Sequence, residues 1–147
     1  WDHHHQLLSH QSTMLPVLSK GLLSFRNALS EIGMFNEVTT FTTSEFGRSL
    51  ASNGSGSDHG WGGHQIVMGG DIQGAQVYGH YPELSLFNPL NVGQGVYAPT
   101  TSNDQYFAEL ALWLGVPLSK IGYVLPNLQA FKPRLNKDAN LGFFSIS

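Results

Sequence analysis

The sequence predicts a mixed α/β fold, and three observations carry that reading. Apolar residues between Met14 and Ile32 fall at Leu15, Leu18, Leu22, Phe25, Leu29 and Ile32, in alternating steps of three and four. That spacing lays one stripe along an amphipathic helix. Val38-Thr39-Thr40-Phe41-Thr42-Thr43 is short and rich in β-branched and aromatic residues, the composition of a buried strand. Ser102 stands three residues before Gln105, the spacing of a capping box, and opens a helical pattern from Tyr106 to Leu114 that Gly115 and Pro117 end.

The elements follow in order. Gly33 closes the first helix, and the strand over 38–43 comes after a short turn. Between Ser44 and Gly63 the composition shifts to Gly, Ser, Asn, Asp and His, which predicts a long polar loop, most flexible over 52–57. A loop of that length in a compact domain is usually functional or disordered, and the flanking strand and Trp61 favour function. Gln65-Ile66-Val67-Met68 reads as a second strand closed by Gly69-Gly70, and Ala75-Gln76-Val77-Tyr78 as a third. From His80 to Pro99, Pro, Gly and Asn predict irregular surface chain. A last short helix is expected from Ser119 to Leu125, then a polar stretch from Lys132 to Asn140, with Leu141-Gly142-Phe143-Phe144 folding back onto the body. No internal repeat or domain-sized linker is present, so the 147 residues read as one unit.

Composition narrows the function classes. With 7 Lys+Arg against 10 Asp+Glu, the net charge is -3 and there is no basic stripe for nucleic acid. No run approaches the roughly 18 apolar residues of a membrane span, and no signal peptide or twin-arginine motif is visible. There is no cysteine, so any metal must be held by imidazole and carboxylate. The 7 histidines are unevenly placed, with His3, His4, His5 and His10 at one end and His59 and His64 in the glycine-rich loop.

Three clusters could carry chemistry. In Trp1-Asp2-His3-His4-His5-Gln6, Asp2 and His4 alternate, so an extended segment turns both toward one side, where they could face one ion. The plain alternative is an exposed polar terminus or a purification-tag remnant. In Thr43-Ser44-Glu45-Phe46-Gly47-Arg48, just past the predicted strand, Glu45 could ligate a metal and Arg48 could fork onto a phosphate or sulfate. Its alternative is a surface Glu-Arg pair. In Asp58-His59-Gly60-Trp61-Gly62-Gly63-His64, two imidazoles and a carboxylate lie within seven residues whose glycines permit tight folding. The same residues could instead serve turns and hydrogen bonds. No Ser-His-Asp triad and no phosphate-cradling P-loop can be assembled.

Trp1-Asp2-x-His4, the phrase from Phe41 to Arg48, and the run from Asp58 through Gln65 to Met68-Gly69-Gly70 together resemble the bacterial family catalogued as domain of unknown function 1501. The resemblance continues through Gly74 to Gly79, Pro99 to Tyr106, and Leu125 to Phe143. It implies the carboxy-terminal portion, over 1–147, of an alkaline phosphatase/sulfatase-like domain, a three-layer sandwich with a mostly parallel sheet. By position, Asp2 and His4 resemble a ligand pair of one metal, although at shorter spacing. Glu45 resembles the position of the second metal's ligands, an assignment for which Asp58-His59 competes, and His64 resembles a late ligand histidine.

The implied function is hydrolysis of phosphate or sulfate esters by an exported, periplasmic parent. Divalent ions, zinc first with calcium, magnesium or manganese as alternatives, would be held by Asp2, His4, Glu45, Asp58, His59 and His64, with Arg48 clamping the transferring group. The chain opens on Trp1 within a site motif, so it reads as a fragment that lacks the nucleophile and is inactive alone. The rival reading is a non-catalytic metal- or anion-binding exported protein on the same fold, and a third makes the histidines structural.

Overall fold

The computed structural model describes residues 1–85, 87–131 and 141–144. The chain is mixed α/β with small antiparallel sheets, and it divides into two compact units. The first comprises Trp1–Gly70 and Glu83–Pro99; the second comprises Asp71–Pro82 and the described residues from Thr100 onward.

In the first unit, helix α1 runs Leu7–Glu31. It starts a full seven residues before the expected stripe, and the reason is local. Ser9, Ser12 and Thr13, poor helix formers by composition, donate their hydroxyls to the carbonyls of Gln6, Ser9 and His10 and so cease to compete with the helix. The start of the helix is also held from outside, because Leu7 N and Gln6 N donate to the carbonyl and hydroxyl of Ser55. Pro16 sits in the interior, where it removes the amide bond to Ser12. Of the apolar stripe, Leu29 is buried and Leu18 and Leu22 half-buried, while Leu15, Phe25 and Ile32 are exposed. Gly33, at φ +74°, ends the helix as expected.

The expected six-residue strand contracts to β1, Thr40–Phe41, which pairs antiparallel with β4, Val67–Met68. Thr42 extends the pairing by donating its amide to Ile66 O at 2.9 Å. The polar segment expected to be a loop instead contains a hairpin, β2 over Gly47–Ser52 and β3 over Ser57–Gly60. Sequence reasoning missed it because its inward residues are Gly47, Ser49, Ser57 and Gly60 rather than large hydrophobics. Small residues are needed there: a Cβ on Gly60 would come within 2.7 Å of the Arg48 carbonyl carbon. The turn is closed by Asn53, whose Oδ1 accepts from Ser55 N and Gly56 N at 3.2 and 2.8 Å. The register shifts between Arg48 and Ser52. Both ladders are antiparallel, and no parallel ladder is present among the described residues.

The stretch over 83–85 and 87–99 is more ordered than its composition suggested. Tyr97 is buried and donates its hydroxyl to Ser85 O at 2.6 Å, Asn91 bridges to Tyr97, and Leu50 N donates to Gly95 O at 2.8 Å, which fastens this stretch to β2.

The second unit is helical. Helix α2, Asn103–Trp113, carries the expected capping box: Gln105 N donates to Ser102 Oγ at 3.1 Å and Ser102 N to Gln105 Oε1 at 3.0 Å. Helix α3 follows at Leu118–Val124, one residue from the expected bounds, then a 3-10 turn at Pro126–Ala130. Ala108, Ile121 and Leu128 form a core joined by Ala111, Leu112, Val116 and Leu125. Phe143 and Phe144 are buried as expected, with Phe144 stacked on Trp113 at 5.4 Å and Phe143 against Tyr78 and Tyr106. The expected third strand at 75–78 is absent; Ala75 has φ +59°, which breaks an extended run, and the neighbouring Ile72 bridges to Phe144 instead. The polar stretch expected over 132–140 lies outside the described residues. No helix among the described residues is long and apolar enough to cross a membrane.

Candidate metal centre

The site is built where the first residues of the chain lie along the β2–β3 hairpin. Ser57 N donates to His3 O at 3.2 Å and Asn53 Nδ2 to His4 O at 3.0 Å. Gly56 makes this possible, since a Cβ there would overlap the carbonyls of His3 and His4. Segments more than 50 residues apart in sequence are thereby brought together: His4 Nδ1 lies 3.2 Å from Asp58 Oδ1, a separation of 54 positions.

Three ligand atoms converge on one point. Asp2 Oδ1 lies 3.2 Å from His4 Nε2 and 3.1 Å from His59 Nε2, and the ligand atoms of the three residues all fall within 4.8 Å of one another. Two donors on one tetrahedral zinc at about 2.0–2.1 Å stand about 3.3 Å apart, so the spacing matches a shared ion. Two imidazole nitrogens and a carboxylate oxygen are also the donor types that zinc accepts, and three protein ligands would leave one position open. Among the described residues this is the one such group of three.

The neighbours of the group hold it in place. Asp58 stands behind His4, on the ring nitrogen that faces away from Asp2, and its Oδ1 also accepts from Asn53 Nδ2 at 2.9 Å. A carboxylate on the far nitrogen of a ligating imidazole fixes its tautomer and orientation. Phe46 stacks on the His59 ring at 3.7 Å between centroids and 10° between planes. The Arg48 guanidinium lies over the Phe46 ring, 5.2 Å from its centroid. Its guanidinium donates to Ser57 O at 2.7 Å, to Trp1 O at 3.2 Å and to Asp2 Oδ1.

The electrostatics follow. The Arg48 hydrogen bond, with His59 and His4 nearby, holds the Asp2 carboxyl below the usual carboxylate range despite some desolvation. Hydrogen bonds from Asn53 and then His4 do the same for Asp58. Both carboxylates are therefore ionised at neutral pH and ready to serve a cation. His3, unlike its neighbours, is buried, 5.5 Å from the His10 ring; desolvation and then His10 push its pKa down.

Of the residues singled out in the sequence, Asp2, His4 and His59 share one point, Asp58 supports His4, and Arg48 is paired with Asp2. Glu45 is exposed in the bend before β2, and His64 is exposed in the segment before β4; neither contributes an atom to the group of three. Asn53, Gly56 and Phe46 escaped the sequence reading. Asn53-Gly54 was a turn signal, but nothing local indicated that its side chain would reach back to His4 and Asp58.

Residues 1–113 match the sequence profile of a family described as protein of unknown function (DUF1501). The chain belongs to that family. No curated protein and no solved structure matches it. The match takes in every residue of this family member's candidate centre, from Asp2 to His59.

Proposed function

We propose that this family member holds a divalent metal, zinc foremost, and that the intact protein hydrolyses phosphate or sulfate esters. The observation that carries the reading is the convergence of Asp2 Oδ1, His4 Nε2 and His59 Nε2, with Asp58 aligning His4 from behind. When bound, the ion supplies Lewis-acid stabilisation of the charge that develops on the ester oxygens. Asp2 would neutralise part of the ion's charge, and the imidazoles of His4 and His59 would fix its position. Asp58 keeps the His4 proton on Nδ1, leaving Nε2 free to ligate. Glu45 and His64 are assigned to a second ion or to the substrate side. The superfamily resemblance supports the further proposals of an alkaline phosphatase-like three-layer sandwich with a mostly parallel sheet, a nucleophile supplied outside these residues, and export to the periplasm.

Arg48 is assigned to clamp the transferring group, and this assignment requires a rearrangement. Its donors are engaged by Ser57 O, Trp1 O and Asp2. A cation held by Asp2 would weaken the Asp2–Arg48 pair and would leave part of the fork for an anion. The same engagement favours a second reading, in which the centre binds metal or anion without hydrolysis and Arg48 ties the first residues to β3. A panel of phosphate and sulfate esters run on the full-length zinc-loaded protein separates them. Turnover that falls at least about a hundredfold in Arg48→Gln, with zinc retained, supports hydrolysis. Zinc binding with no turnover of any ester supports the non-catalytic reading.

A further inference from the structure

Beside the metal group, wholly within the first unit, lies a cleft of about 250 Å³ lined by Ser49, Ala51, Ser52, Asp58, His59, Gln94 and Val96. Its lining includes His59, one of the three ligand residues, and Asp58, which backs His4, so the cleft borders the metal centre. Its volume lies just below the roughly 300–1,000 Å³ of ordinary small-molecule sites, which suits one small group rather than a large ligand.

The chemistry of the lining selects that group. Among the described residues no lysine or arginine lines the cleft, so it offers no cation to a phosphate or sulfate, whose charge belongs with the metal and Arg48. The serines are already spent as donors: Ser49 Oγ donates to Ala51 O at 3.1 Å and Ser52 Oγ to Gly56 O at 3.2 Å. Each keeps a lone pair to accept a further hydrogen bond, Ser52 Oγ already accepting from Gly54 N at 3.0 Å. Gln94 is different, because its carboxamide has no hydrogen-bond partner among the described residues and offers two donors and an acceptor. A hydroxyl, which both donates and accepts, is the complement of such a group. Ala51 and Val96 supply the apolar surface on which the C–H side of a polyol or sugar packs.

The backbone presents Gln94 at a conformational cost. It adopts φ +53° between Gly93 at φ +122° and Gly95 at φ +72°, a left-handed geometry that a glutamine seldom takes. The turn is pinned by Val96 N to Gly93 O at 2.9 Å and Leu50 N to Gly95 O at 2.8 Å. A Cβ on Gly95 would come within 2.7 Å of Ala51 N, so the close approach to β2 needs glycine there. Of the three residues at the tip, the strained position is the one that carries a side chain, and that side chain lines the cleft.

We propose that this cleft holds the hydroxylated alcohol part of the ester, a polyol or carbohydrate, with Gln94 as the residue that recognises its hydroxyls. The proposal rests on the metal reading and names the substrate class of that site. The test is a pair of titrations on the whole chain. Zinc is added first and its binding followed by calorimetry. The zinc-loaded protein is then titrated with glycerol 3-phosphate and, separately, with ethyl phosphate, which has the same charge and an apolar alcohol. Glycerol 3-phosphate binds about tenfold more tightly, the effect of one or two net hydrogen bonds. Gln94→Gly brings the two ligands to within about twofold while zinc affinity is unchanged. Because glycine relieves the φ at this position, a loss in that variant is not a folding defect. Equal affinities in the unmodified protein, a preference that survives Gln94→Gly, or no binding of either ester overturns the proposal with the metal reading intact. Failure of zinc to bind in the first titration overturns the metal reading itself, and this proposal with it.

Discussion

The two units solve the problem of stability with different materials. The second packs Ala108, Ile121 and Leu128 into one apolar cluster, with Ile121 and Leu128 at 0% and 1% exposure, and buries Phe143 and Phe144 against aromatic rings. In the first, the buried hydrophobics among the described residues are Leu29 and Tyr97, while Ser49 and Ser57 are buried hydroxyls bonded to each other and His3 is buried beside the His10 ring. The contrast teaches where each can be changed. A core of close-packed apolar side chains resists loss of volume, whereas a scaffold of backbone and hydroxyl hydrogen bonds around open carboxylates and imidazoles holds groups in position for a ligand.

The largest expected effect breaks the second unit. Phe143→Ala leaves a cavity between Tyr78, Tyr106 and Phe144 and costs about 3–5 kcal/mol, read as a shift of the denaturant midpoint. On the first unit the comparable blow is to binding rather than folding. Asp58→Asn, exposed and behind His4, leaves the denaturation midpoint nearly unchanged and lowers zinc affinity about 10–100-fold by calorimetry. An Asp58→Asn variant that unfolded the protein, or that bound zinc normally, would erase the distinction between the units.

How much of this was legible in the sequence follows the same division. The second unit's helices were readable because their signals are local: Ser102 and Gln105 sit three residues apart, and Gly115 and Pro117 mark an end. The tuck of Phe143 and Phe144 was readable from their hydrophobicity. The hairpin over 47–60 was not, because strands whose inward residues are glycine and serine have no period-two apolar pattern to detect. In the candidate centre, Asp2, His4 and His59 stood out as residue types, but their meeting depends on Gly56 admitting the His3–His4 backbone, a contact across more than 50 positions. The division of labour between Asp58 and His59, adjacent in sequence and both exposed on β3, comes from what each meets: Asp58 reaches His4 Nδ1 and Asn53, and His59 reaches Asp2.

Two smaller tests sharpen the comparison from the apolar side. Burial pushes the Tyr106 hydroxyl up to about 12 from an ordinary 10.0. The neutral form is the one the folded state favours, so its contribution is complete below pH 10 and is lost as pH rises through 12. Alkaline denaturation followed by circular dichroism shows this loss, and Tyr106→Phe diminishes it. Ser102→Ala removes one arm of the capping box and costs about 1 kcal/mol, again read from the denaturant midpoint.

The central claim, that Asp2, His4 and His59 hold a divalent ion, is tested most directly by zinc calorimetry on tag-free protein beside His59→Ala and His64→Ala. One zinc is expected at this centre, with its near-complete loss in His59→Ala and its retention in His64→Ala, whose imidazole lies outside the group. No zinc uptake by the unmodified protein, or equal loss in both variants, would contradict it.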